Sequence, residues 1–226
     1  PKLRRIVGSR SLLLASIFGN SGYYGIPVSL ALLPTEALSF SIGYDIGASL
    51  LVWHLGPLLL SRSTFKSKGV GAWERTLKVI TNSPATKGVI GALLIHLTPW
   101  DVTITSFLWV PSKIVVSLAL IIVGIRLGSF EFPREITNTN FFVLAKFPLL
   151  LKLILLPALM LLLAKVFALP DLMCKALVLQ AATPTAISVL LLAEVNRQEQ
   201  QVAASLVASS TLLSLVSVPM WFLVIQ

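Results

Sequence analysis

Residues 18–29 read F-G-N-S-G-Y-Y-G-I-P-V-S and sit inside an uncharged run, 11–35, long enough to cross a membrane as a helix. A spanning helix gains nothing from Gly19, Asn20, Gly22, Tyr23, Tyr24, Gly25 and Pro27 packed so closely. Relative to alanine, a glycine costs a helix about 1 kcal/mol and a proline about 3 kcal/mol. In hydrocarbon every unsatisfied backbone group costs several kcal/mol more, so irregular backbone survives only against protein or a wet cavity. The stretch therefore predicts an interrupted membrane helix with something packed into the gap.

The rest of the chain supports a membrane setting. Of the 226 residues, 56% are hydrophobic and 12% charged, with a mean hydropathy of +0.89; soluble domains carry about 25% charged residues. Apolar runs at 11–35, 37–60, 84–97, 110–127, 140–168, 174–193 and 201–225 predict seven spanning helices. Strand-like alternation is missing, which argues against a barrel. The fold class expected is an all-α integral membrane protein.

The formal charge of +9 lies between the apolar runs, where it sets orientation; nucleic-acid binding is not expected. Lys2, Arg4, Arg5, Arg10, the six basic residues of the 61–87 loop, Arg126, Arg134 and Arg197 fall on one side of the membrane. Lys113, Lys165 and Lys175 fall on the other. The positive-inside rule then puts the Pro1 end and the 61–87 loop in the cytoplasm and Gln226 outside, in a multi-pass protein of the plasma or inner membrane. The single cysteine, Cys174, allows no internal disulfide and reads as a small apolar residue.

A second fault, L-Q-A-A-T-P-T-A-I-S at 179–188, lies in the sixth run, with Gln180, Thr183, Pro184 and Thr185 at mid-depth. Each faulted run is followed by a short polar turn and a serine-containing apolar run. The two faults are five spans apart, so their helices run antiparallel. Paired interruptions in inverted halves mark the binding site of a secondary transporter, where half-helix N-termini and freed N–H groups hold an anion.

At these residues the chain resembles the auxin efflux carrier family of membrane transporters. The likeness rests on G-N-S-G-Y-Y-G-I-P-V-S-L-A-L at 19–32, N-S-P-A-T-K-G-V-I-G at 82–91 and P-T-A-I-S-V-L-L-L-A-E at 184–194, leading into the serine-rich run 202–219. The resemblance implies ten helices in two inverted repeats of five, in a fold like that of sodium/proton antiporters, with the fourth and ninth helices broken and crossing at prolines. Those prolines would be Pro27 and Pro184. Residues 1–60 would end the first repeat, 61–83 would be the cytoplasmic loop, and 84–226 the second repeat. Against that pattern three helices are missing before residue 1, so an N-terminally truncated member of bacterial type is expected. The implied activity is transport of a small organic anion, either auxin or a carboxylate such as malate or malonate.

The expected substrate-binding residues are Asn20, Ser21, Gly22, Tyr23, Gly25, Pro27, Gln180, Thr183, Pro184 and Thr185. Asp45 lies about 12 Å along the second run, and an acid at that depth is a candidate for carrying a coupling proton. No cofactor or metal is called for; a proton or sodium ion is the coupling ion to consider, and a homodimer the assembly. His54 and His96 read as interfacial, Lys146 and Lys152 as snorkelling or facing protein, and Glu194 as a solvated helix end. Trp100, Trp109 and Trp221 suit the outer interface belt. Two competing functions remain. G-N-S-G at 19–22 matches the GxSG of rhomboid intramembrane proteases, but neither histidine lies at the depth of Ser21, and a serine nucleophile needs a base within about 3 Å. A non-transporting membrane subunit would explain the spans but not the paired faults. No phosphate-binding GxxxxGK[ST] loop occurs, so ATP-driven transport by this chain is not supported.

Overall fold

The computed structural model describes residues 10–60, 84–129, 139–195 and 200–226, and every regular element in them is helical. The basic loop 61–83 and residues 1–9 lie outside the described residues. Helix α1 (Arg10–Ile17) stops at the glycine-rich stretch. After residues 18–20 a single π-helical turn, Ser21–Gly25, runs directly into α2 (Ile26–Leu32). Leu33 is extended, as a residue before proline prefers, and a short turn leads into α3 (Leu38–Leu60).

Helix α4 (Pro84–His96) begins on a proline, which needs no partner at that position. Helix α5 (Asp101–Ser129) begins well before the run expected at 110. Pro111 lies inside this helix, whose first turn carries Asp101. That acid sits in the first turn, where a negative charge is favoured, and takes a 2.9 Å bond with His96 Nδ1.

The fifth run forms α6 (Thr139–Leu150), a π turn (Leu151–Leu155) and α7 (Leu156–Val166) as one continuous rod. The sixth divides into α8 (Asp171–Ala181) and α9 (Ile187–Val195), with the break where expected. The last helix is α10 (Gln200–Val224). Residues 145–166 and 202–224 are each apolar and long enough to cross a membrane by length and composition.

Two apolar clusters flank the breaks. Leu12, Leu14, Phe18, Val189 and Leu206 pack on one side, and Leu33, Val178, Leu179 and Val218 on the other. A third, alanine-rich cluster lets α9 and α10 approach closely through Ala193, Ala203 and Ala204. The outside is equally greasy: Leu93, Leu97, Phe107, Ile114 and Leu118 are all exposed. Contiguous apolar surface of this kind is rare on soluble monomers and ordinary against lipid.

Candidate substrate site at the crossing

The two interruptions meet. Residue 19 pairs antiparallel with residue 185, the Asn20 N–H donating to Pro184 O at 2.7 Å and the Ala186 N–H to Phe18 O at 2.9 Å. Each break thus satisfies backbone groups that the other leaves without helical partners. The contact is tight because Gly19 has no side chain: a Cβ there would strike Thr183 Oγ1 and lie 2.8 Å from Lys152 Nζ. A Cβ at Gly25 would strike Gln180 Oε1 and lie 2.8 Å from Thr183 Cγ2.

Side chains finish the joint. Thr185 Oγ1 donates to Ala15 O (2.9 Å), and the Thr185 N–H donates to Ser210 Oγ on α10 (3.0 Å). Thr183 Oγ1 bonds back to Gln180 O at 2.7 Å. Gln180 Nε2 reaches Ser29 Oγ at 3.2 Å, and Ser41 Oγ donates to the same hydroxyl at 3.0 Å, tying α8, α2 and α3 together. Lys152, only 1% exposed, donates from Nζ to Ala181 O at 2.7 Å. It therefore places a cation on the carbonyl end of α8, the end where positive charge is stabilising.

On the other face of the joint lies a cavity of about 190 Å³. Phe18, Gly19, Asn20, Ser21, Gly22, Tyr23, Asp45, Ala48, Ser49, Val52, Ala186, Ile187 and Ser188 line it. Two half-helices start there, one at Ser21 and one at Ile187. First-turn N–H groups have no acceptor within their own helix, so two partially positive ends border one small space. Asp45 stands in the same wall and accepts the Ser21 hydroxyl at Oδ1, 2.6 Å away.

Residues 72–222 match the model of a family described as membrane transport proteins. An uncharacterized transporter of Methanothermobacter thermautotrophicus is 30% identical over 220 residues, spanning 95% of this chain and 67% of that protein. The chain belongs to the auxin efflux carrier family. It is accordingly an integral membrane protein and a transporter, not an enzyme.

The protease alternative falls with that membership, and the geometry agrees. The Ser21 hydroxyl is bonded to Asp45, while His96 pairs with Asp101 at an exposed turn. The side chains of His54 and Glu194 lie outside the described residues. Lys146 is exposed.

The residues singled out from the sequence divide into two groups in this carrier. Asn20, Ser21, Gly22 and Tyr23 line the cavity together with Asp45. Gly25, Gln180, Thr183, Pro184 and Thr185 sit in or behind the joint, bonded to protein or packed against it, and do not line the cavity. Pro27 was expected at the crossing; it lies in the first turn of α2, several residues beyond it. The crossing falls at Gly19, where the absent side chain leaves room for Thr183 Oγ1 and Lys152 Nζ. Ser49, Ile187 and Ser188 in the lining were not among the expected site residues, and Lys152, read as snorkelling or facing protein, faces protein in the joint. Ser188 was findable as the next polar residue after Thr185 in the stretch 179–188. Ser49 carries no comparable signal, being one serine among many in apolar helices.

Proposed function

We propose that this chain carries a small organic anion across the membrane as a secondary transporter, by alternating access around the crossed breaks. The observation that carries this reading is the cavity bordered by both half-helix N-termini. A carboxylate there accepts N–H bonds from the turns starting at Ser21 and Ile187, and Asn20, Tyr23, Ser49 and Ser188 tune its fit. Gln180, Thr183, Pro184 and Thr185 shape the site from behind.

Asp45 supplies the coupling. Two negative charges about 5.5 Å apart repel by roughly 3 kcal/mol at an effective dielectric of about 20. The anion and a proton on Asp45 therefore enter together. In the fuller architecture these helices are seven spans of a ten-helix inverted-repeat fold like that of sodium/proton antiporters. The Pro1 end and the 61–87 loop face the cytoplasm, Gln226 faces outside, and the carrier is a homodimer.

The test is uptake of labelled dicarboxylates and indole acids by the full chain in proteoliposomes. Asn20→Ala should lower uptake about tenfold, the loss of one good hydrogen bond to a charged group. Asp45→Asn keeps an acceptor for Ser21 but should remove stimulation by an inward proton gradient. Unchanged uptake in the first variant, together with unchanged gradient dependence in the second, would sink the site.

A further inference from the structure

Trp221, expected at the interface belt, has a hydrogen-bond partner inside the protein. It is half-buried, and its indole Nε1 donates to Leu153 O at 2.8 Å. That carbonyl needs an outside donor for a reason legible in the chain. The usual donor is the N–H four residues on, and residue 157 is proline. Leu153 belongs to the π turn Leu151–Leu155, and is itself buried. The neighbouring residue of that turn is Lys152, whose ammonium reaches Ala181 O at the crossing. A π turn adds one residue to a helical turn and so changes which face the next side chains take.

We propose that Trp221 is a positioning residue for Lys152: its indole N–H replaces the donor that Pro157 lacks and holds the π turn in the register that aims the ammonium at the joint. The importance of this aim for transport rests on the carrier function proposed above. Trp221 belongs to α10, the same helix whose Ser210 holds the Thr185 N–H. One helix thus braces both the second break and the cation beside it.

The aim can be read without any substrate. In full chain carrying Cys174→Ala, Lys152→Cys serves as a reporter for a small membrane-permeant methanethiosulfonate. A buried thiol labels slowly, and adding Trp221→Phe should raise the rate about tenfold as the freed carbonyl lets the turn rewind. Equal rates overturn the proposal. A rise in rate from a chain that transports no acid in any variant keeps the positioning and removes the carrier reading.

Uptake gives the second arm. Trp221→Phe should lower it about tenfold, and Pro157→Ala in that background should recover most of the loss by restoring an N–H for Leu153 O. An indole that merely fills space gives no such rescue, and absence of rescue overturns the proposal. Should Trp221→Phe alone not survive purification, Pro157→Ala is compared with Pro157→Ala/Trp221→Phe. The two should transport within about threefold of each other, because the indole is then redundant; a larger gap counts against it.

Discussion

The two broken spans follow one plan and are secured by different chemistry. Each is propped from the helix that follows it, by a residue at nearly the same distance along the chain. Asp45 takes the Ser21 hydroxyl from 24 residues on, and Ser210 takes the Thr185 N–H from 25 residues on. The first prop is an acid bordering a cavity, with Tyr23 about half exposed beside it. The second is a neutral hydroxyl in a closed wall, where Gln180, Thr183 and Thr185 are all buried and a fixed lysine stands behind. On the mechanism proposed above, the first break responds to protons and ligand while the second holds still.

The widest gap between the breaks should open when the lysine is removed. Lys152→Met is expected to lower uptake about a hundredfold, from loss of a charged hydrogen bond worth roughly 1.5–3 kcal/mol. Thermal stability should change much less, because burying an ammonium is itself unfavourable. A large drop in melting temperature with normal residual uptake would contradict the fixed role of this side chain.

Glycines make the next comparison. Gly25→Ala forces a methyl against Gln180, which has no free space, and should destabilise by about 1–3 kcal/mol. Gly22→Ala meets only the Asp45 carboxylate oxygens, at 3.1 Å, beside open cavity, and should cost less than about 1 kcal/mol. Thermal unfolding in detergent ranks the pair; equal losses would mean that the two breaks are packed alike.

The smallest contrast between the breaks belongs to the props. Ser210→Ala strands the Thr185 N–H inside protein and should cost about 1–2 kcal/mol. Ser21→Ala leaves Asp45 facing the cavity, where water can replace the hydroxyl, and should cost about 0.5 kcal/mol. If Ser21→Ala proves the more damaging, the responsive and fixed assignments are reversed.

The breaks themselves were readable because glycine, proline and polar residues inside an apolar run have few other uses. The exact joint was not. Pro27 looked like its marker, but a proline near the start of a helical segment breaks little, whereas the missing side chain of Gly19 makes room for Thr183 and Lys152 at the joint. Gln180, Thr183 and Thr185 stood out as polar residues within an apolar run, yet composition does not say whether a hydroxyl faces a cavity or a neighbouring carbonyl. Lys152 was left between snorkelling and facing protein, and Trp221 was placed at the interface belt. Lysines near a span's end usually snorkel and tryptophans near the interface usually anchor. Here Lys152 Nζ bonds Ala181 O and the Trp221 indole bonds Leu153 O, the carbonyl four residues before Pro157, and composition carries no sign of either contact.

The paired main-chain bonds at residues 18–20 and 184–186 have a consequence for inheritance. A joint stitched by peptide groups does not depend on most of the side chains that decorate it, provided the glycine remains. On the mechanism proposed above, descendants of such a carrier can exchange Asn20, Ser49 or Ser188 and acquire new cargo while the joint is passed on intact.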